Sequence, residues 1–269
     1  MRRLSKTVIT FLIFGYAFLF TPILFLIINA FSASEIPSIW TSFSLRWFEA
    51  VFEDSELTRA ALTSLEIACI SATGAVILGG LAAFATTNTS SFKGKSFLNT
   101  TIIMPIVMPE IIVGFSLLML FMAIENAFGW PKERGVMTVV IGHIIATMAY
   151  VHITIRARLL SFDKSLEEAA LNLGAKPFTV FFKIKIPILA RSILSGWLLA
   201  FTLSLDDLVI ASFLTGPGST TLPILIFSNV RVGVTPAINA LATIFILIVA
   251  LCLIIAFLMM KQSKKPEIN

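Results

Sequence analysis

Six stretches of the chain stay apolar for the roughly 20 residues that cross a hydrocarbon layer at about 1.5 Å per residue. They lie at about 8–30, 60–86, 99–125, 136–155, 192–214 and 237–260, with polar and charged residues gathered between them. The pattern predicts an all-α integral membrane protein of six transmembrane helices in a single 1–269 domain. Gly216-Pro217-Gly218 cannot continue a helix, and the apolar piece Leu222–Phe227 after it is too short to span. The 216–236 segment is therefore expected to be re-entrant or interfacial. The first apolar run follows Arg2, Arg3 and Lys6 and exceeds the roughly 7–15-residue core of a signal peptide, so it reads as an uncleaved anchor.

Composition agrees with a bilayer as solvent. Of 269 residues, 57% are hydrophobic and 13% charged, against about 25% charged in soluble domains. The mean hydropathy of +0.96 excludes an ordinary soluble enzyme. Two cysteines, Cys69 and Cys252, each inside an apolar run, and two histidines supply neither a disulfide framework nor a zinc set. The net charge of +5 comes without a basic stretch interleaved with aromatics, so no nucleic-acid partner is expected.

The charge is informative once it is divided by side. With the N-terminus inside, the inner segments hold fifteen Lys and Arg and the outer segments five: Arg46, Arg59, Lys132, Arg134 and Arg231. Basic residues favour the cytoplasmic side, so both termini are expected there. The inner side then carries +11, and the outer and intramembrane remainder −6. A cation approaching from outside meets negative charge.

An ionised side chain near a helix centre costs about 2.5–3.5 kcal/mol on insertion scales, so each one needs a reason. Glu66, Glu110, Asp206 and Asp207 fall within the apolar runs. Glu66 is assigned a local role, pairing with Arg59 or capping the start of its span. Glu110 lies beyond Pro105 and Pro109, where loss of backbone donors predicts a kink beside a cavity. On an unbroken span from about Ser192, Asp206 and Asp207 sit roughly 21 to 23 Å along and about 100° apart, so one of them faces a narrow path. Glu110 and one aspartate are thus the pathway candidates. His143 and His152 are expected to make structural hydrogen bonds.

The longest inner loop, 156–191, contains a short helical element. Ser165 with Glu168 predicts a capping box, Gly174 a left-handed helix stop, and Pro177 the first turn of a second amphipathic helix to about Lys185. The series Glu168-Ala169-Ala170, three residues, Gly174, nine residues, Ile184, one residue, Ile186-Pro187 resembles the EAA signature of permease subunits of bacterial ABC importers. The family's leucine before the proline is Ile186 here. The resemblance implies a type I importer permease fold and a coupling loop seated in a groove of a cytoplasmic ATPase, with Ser165, Glu168, Ala169, Ala170, Gly174 and Pro187 as coupling residues.

Pro105–Glu110, Gly129-Trp130-Pro131, Ser195–Asp207, Gly216–Pro223 and Asn229–Val234 extend the resemblance to polyamine (spermidine/putrescine) importer permeases, with the nearest likeness to the second permease subunit of putrescine importers. That family implies a bacterial inner-membrane location in contact with lipid. It also implies a second homologous permease forming a heterodimer, an ATPase dimer that binds ATP and Mg2+, and a periplasmic polyamine-binding protein. The chain itself would carry no cofactor and catalyse nothing.

Gly94-Lys95-Ser96 is a decoy, because position 89 is threonine and the segment follows a span rather than a strand. Two other classes remain open at this level. An ion-coupled secondary transporter of an organic cation would also use intramembrane carboxylates but usually shows internal repeats. A membrane hydrolase needs a nucleophile elbow or HExxH spacing, and neither is present.

Overall fold

The computed structural model describes residues 5–36, 39–88, 92–232 and 236–262. Arg2, Arg3, Lys264, Lys265 and Glu267 of the charge count lie outside them, as do Gly233 and Val234; the side chains of Lys6, Arg231, Cys252 and Lys261 are likewise not described. The chain divides into two compact units, Met1–Arg59 with Ile226–Asn269, and Ala60–Leu225.

In the first unit, α1 (Lys6–Ala30) packs with α12 (Pro236–Gln262), and α12 packs with α2 (Arg46–Glu53). α1 exposes the four successive residues Phe11, Leu12, Ile13 and Phe14, and so apolar side chains on all its sides, as a helix does when lipid rather than water surrounds it. The turn after α1 is closed by an isolated bridge between Ser32 and Phe43 and by Phe31, which stacks on Phe43 and lies tilted against Phe48.

The second unit is built around α6 (Val136–Leu160). Against it lie α4 (Lys95–Val107), α5 (Glu110–Phe128), α9 (Ile186–Leu205) and α10 (Val209–Leu214). α3 (Ser55–Asn88) supplies Ala68, Ala72, Ala75 and Ala83 to a core with Val151, Ile155, Leu189 and Phe201. Small residues let helices approach where lipid gives no hydrophobic drive for association. At Gly79 a Cβ would stand 2.5 Å from the Met148 carbonyl, so no larger residue fits between α3 and α6 there.

Five helices among the described residues are long and apolar enough to cross a membrane: Thr7–Ala30, Ser55–Thr87, Glu110–Phe128, Val136–Leu160 and Pro177–Leu205. The apolar part of α12 within those residues is shorter, Pro236–Leu251.

Two expected spans differ in form. The 99–125 run is not one kinked helix; it is divided into α4 and α5 at Met108 and Pro109, both extended (ψ 140 and 134). Proline drives the preceding residue out of the helical region and donates no hydrogen bond. The 192–214 run is divided too, because α9 stops at Leu205 and α10 restarts at Val209.

The same run begins earlier than expected. The second amphipathic helix and the span are continuous: α8 (Pro177–Val180) passes through a π-helical turn, Phe181–Lys185, directly into α9. Pro187 would break a regular helix by crowding the carbonyl four residues back. That carbonyl, of Lys183, belongs to the wider π-turn.

The Leu222–Phe227 piece opens α11 (Leu222–Val232). Its start is packed inside the second unit, with Leu222 and Leu225 buried and the Leu222 N–H donating to Ser64 Oγ at 2.7 Å. Before it, Gly216 lies against the Arg134 carbonyl so closely that any Cβ would collide with it.

Candidate functional site

Both helix breaks open onto one cavity of about 460 Å3 within the second unit. Pro105, Met108, Pro109 and Glu110 line it from the first break, and Leu203, Asp206, Asp207 and Leu208 from the second. Ala146, Thr147 and Tyr150 of α6 form the wall between them. Three of the four carboxylates singled out from the sequence, Glu110, Asp206 and Asp207, are therefore brought together.

Their surroundings differ. Glu110 occupies the first turn of α5, where the helix dipole favours a negative side chain. Asp206 ends α9 and, like Glu110, is exposed. Neither is in an ion pair among the described residues. Asp207 is held: its Oδ1 accepts the Ala211 N–H at 2.8 Å and lies 3.4 Å from His143 Nε2. The His143 contact lacks hydrogen-bond alignment, since Nε2 has no hydrogen-bonding partner, and is an electrostatic one. His143 Nδ1 is 2.7 Å from Ser204 Oγ on α9.

The expectation that the two aspartates stand about 100° apart on one helix is corrected by the break. Asp206 faces the cavity with no basic side chain paired to it among the described residues, and Asp207 caps α10 while also lining the cavity.

Sequence reasoning passed over Thr147 and Tyr150. With His143 they fall at helical spacings of four and seven, one face of α6, and Thr147 Oγ1 donates to the His143 carbonyl at 2.7 Å. Polar residues at that spacing in an apolar span were the available signal. His152 makes the hydrogen bond expected of it, with Nε2 3.3 Å from Asn99 Oδ1.

Glu66 corrects another expectation. α3 begins at Ser55, so Glu66 lies past its third turn and cannot cap it. It is exposed and in no ion pair among the described residues.

A second group of residues forms a bracket at the other end of α9. α7 (Lys164–Asn172) has no buried residue. The capping box of Ser165 with Glu168 is not formed. Asp163 is the cap, its Oδ1 accepting the Ser165 N–H at 2.9 Å, because Asp163 sits one residue before the helix start and a carboxylate there accepts a charge-assisted bond. Ser165 is inside the first turn. The bond from the Ser165 backbone, and then its side chain, holds the Asp163 carboxyl below its ordinary pKa. The cap is thus complete at neutral pH and lost as pH falls through that lowered value.

Gly174 takes the left-handed conformation expected of it, φ +84, with the Ala175 N–H returning to the Ala170 carbonyl at 3.0 Å. Pro177 starts α8, also as expected. Glu168, Ala169, Gly174 and Pro187 are exposed, and Ala170 is half-buried. Around them Leu166, Leu171, Leu173 (88% exposed) and Phe178 (77%) leave apolar surface uncovered. Gly94-Lys95-Ser96 opens α4 after helix α3, with no strand before it among the described residues.

Residues 75–265 match the family described as binding-protein-dependent transport system inner membrane component. The chain is 46% identical over 261 residues to the putrescine transport system permease protein PotI of Escherichia coli, covering 97% of this chain and 93% of that one. It is 38% identical over 249 residues to the spermidine/putrescine transport system permease protein PotC of the same organism, covering 93% and 91%. Among solved structures, a bacterial ABC transporter involved in import of the acidic polysaccharide alginate has the same fold, with a TM-score of 0.74 at 15% identity over 96% of this chain and 95% of that one.

Proposed function

Because the chain belongs to the family of binding-protein-dependent transport inner membrane components, we propose that it is the membrane-spanning permease subunit of an ATP-driven importer that moves a polyamine, putrescine foremost, by alternating access. The observation that carries this reading is the convergence of Glu110, Asp206 and Asp207 on one cavity between two broken helices. The 46% identity to a putrescine permease supports the substrate class.

A diamine entering the cavity gives up part of the hydration of two ammonium groups, which is costly unless opposite charge replaces it. Asp206 and Glu110 supply that charge. Asp207, tied to Ala211 and His143, fixes the break that holds Asp206 in place. Tyr150 offers an aromatic wall, to which a cation is weakly attracted. Contacts of this kind are weak enough to release the substrate, and selectivity belongs largely to the periplasmic binding protein.

The reading includes six spans, α12 completing the set, with both termini in the cytoplasm and the chain in a bacterial inner membrane. A second, homologous permease forms the other half of the path. A cytoplasmic ATPase dimer binds ATP and Mg2+ and seats the α7 bracket through Ser165, Glu168, Ala169, Ala170, Gly174 and Pro187. The exposed apolar side chains around that bracket support such docking, because apolar patches of this kind commonly mark interaction surfaces.

Proteoliposomes test the reading. Uptake of labelled putrescine should require the partner permease, the ATPase, ATP and the binding protein together. Uptake by this chain alone would contradict the reading in favour of an ion-coupled carrier.

A further inference from the structure

α7 is joined to the start of α9 by one charge pair. Lys185, the last residue of the π-turn, is 6% exposed, and its Nζ lies 2.8 Å from Glu167 Oε1 in the first turn of α7. A lysine is almost never that deep without a partner. Lys183, two positions earlier on the same turn, is exposed, so the burial belongs to Lys185 and not to the turn as a whole.

The pair holds an element that burial does not brace. α7 has nine residues, none of them buried, and a helix of that length does not persist on its own. It passes into α8 through the turn at Gly174, which nothing crowds. The π-turn and Pro187 interrupt the regular hydrogen bonding of the rod between α8 and α9 at the same level. Beyond that level α9 runs without a break to Leu205, next to Asp206 in the cavity.

We propose that Glu167 and Lys185 form a strut that makes α7 and α9 move as one body, so that a displacement imposed on α7 reaches the Asp206 end of the cavity instead of being absorbed at Gly174 and the π-turn. Both are positioning residues, and neither touches substrate. The inference rests on the importer reading above and deepens it by naming the element that carries the coupling.

The test uses the complete importer in proteoliposomes, with putrescine uptake and ATP hydrolysis measured together. Glu167→Gln and Lys185→Met should each lower uptake per ATP by about tenfold while the ATPase still copurifies. The double variant Glu167→Gln/Lys185→Met removes the pair without leaving a buried charge alone. A merely stabilising role predicts near-normal coupling for it, whereas the strut predicts coupling as poor as in the single variants. The exchanged pair Glu167→Lys/Lys185→Glu should recover most of the coupling. Normal uptake per ATP in the double neutral variant, or no recovery in the exchanged pair, overturns the strut. Absence of ATP-dependent putrescine uptake by the wild-type complex would instead overturn the importer reading, which keeps the two failures apart.

Discussion

Replacing Asp206 with asparagine removes one charge from the cavity and almost nothing else. The side chain keeps its size, it is exposed, and no ion pair among the described residues is broken. An ammonium about 4 Å from a carboxylate gains about 1 kcal/mol in water and about 4 kcal/mol at an effective dielectric of about 20. An exposed carboxylate in an open cavity falls between these limits, and about 2 kcal/mol corresponds to about a thirtyfold loss of cation occupancy. In the reconstituted importer, Asp206→Asn should therefore lower putrescine uptake by one to two orders of magnitude at subsaturating substrate, with assembly and thermal stability unchanged. Glu110→Gln should act in the same direction, with a smaller effect at high salt than at low salt. Uptake by Asp206→Asn within about twofold of wild type, in a complex that hydrolyses ATP normally, would refute the electrostatic argument, since even the aqueous limit of about 1 kcal/mol predicts more than that.

Three further substitutions probe the supports of the site. His143→Ala leaves Ser204 Oγ and Asp207 without their buried neighbour and should destabilise by about 2–4 kcal/mol, read as a lower denaturation midpoint of the purified complex; an unchanged midpoint would show that the ring positions nothing. Glu168→Lys and Gly174→Asp should separate ATP hydrolysis from uptake with the chain still inserted, the second also straining a backbone held at φ +84, and normal uptake in both would count against ATPase docking at the bracket. Gly79→Val should prevent accumulation of folded protein because its side chain meets the Met148 carbonyl on α6; wild-type expression and stability would mean that α3 and α6 can move apart freely.

Much of the molecule was legible because its strongest signals are local. Apolar runs locate the helices, Pro109 marks the place where the expected kink is a full break while Pro105 stays inside α4, and Gly174 with Pro177 defines the turn after α7. The second break was hidden. Leu203–Leu214 reads as one apolar run interrupted by two acids, and only the return of Asp207 to the Ala211 N–H shows that the acids end one helix and cap the next. The join between α8 and α9 was hidden as well, since the amphipathic helix was expected to end near Lys185 and the π-turn carries it on through Pro187 into the span. At the start of α7 spacing pointed to Ser165 as the cap, whereas Asp163 holds that position, because where the helix starts depends on how the chain leaves α6, which spacing does not encode. The clustering of Glu110 with Asp206 is a tertiary fact. Their separation of nearly a hundred residues gave no hint that two breaks would open on the same face of α6.

A cation crossing by the proposed path must meet the cavity carboxylates. Carbodiimide labelling of the assembled importer during ATP turnover, read residue by residue by mass spectrometry, measures this directly. Putrescine should slow modification of Asp206 and Glu110 and leave the exposed Glu66 unaffected. Equal labelling of all three with and without putrescine would contradict it.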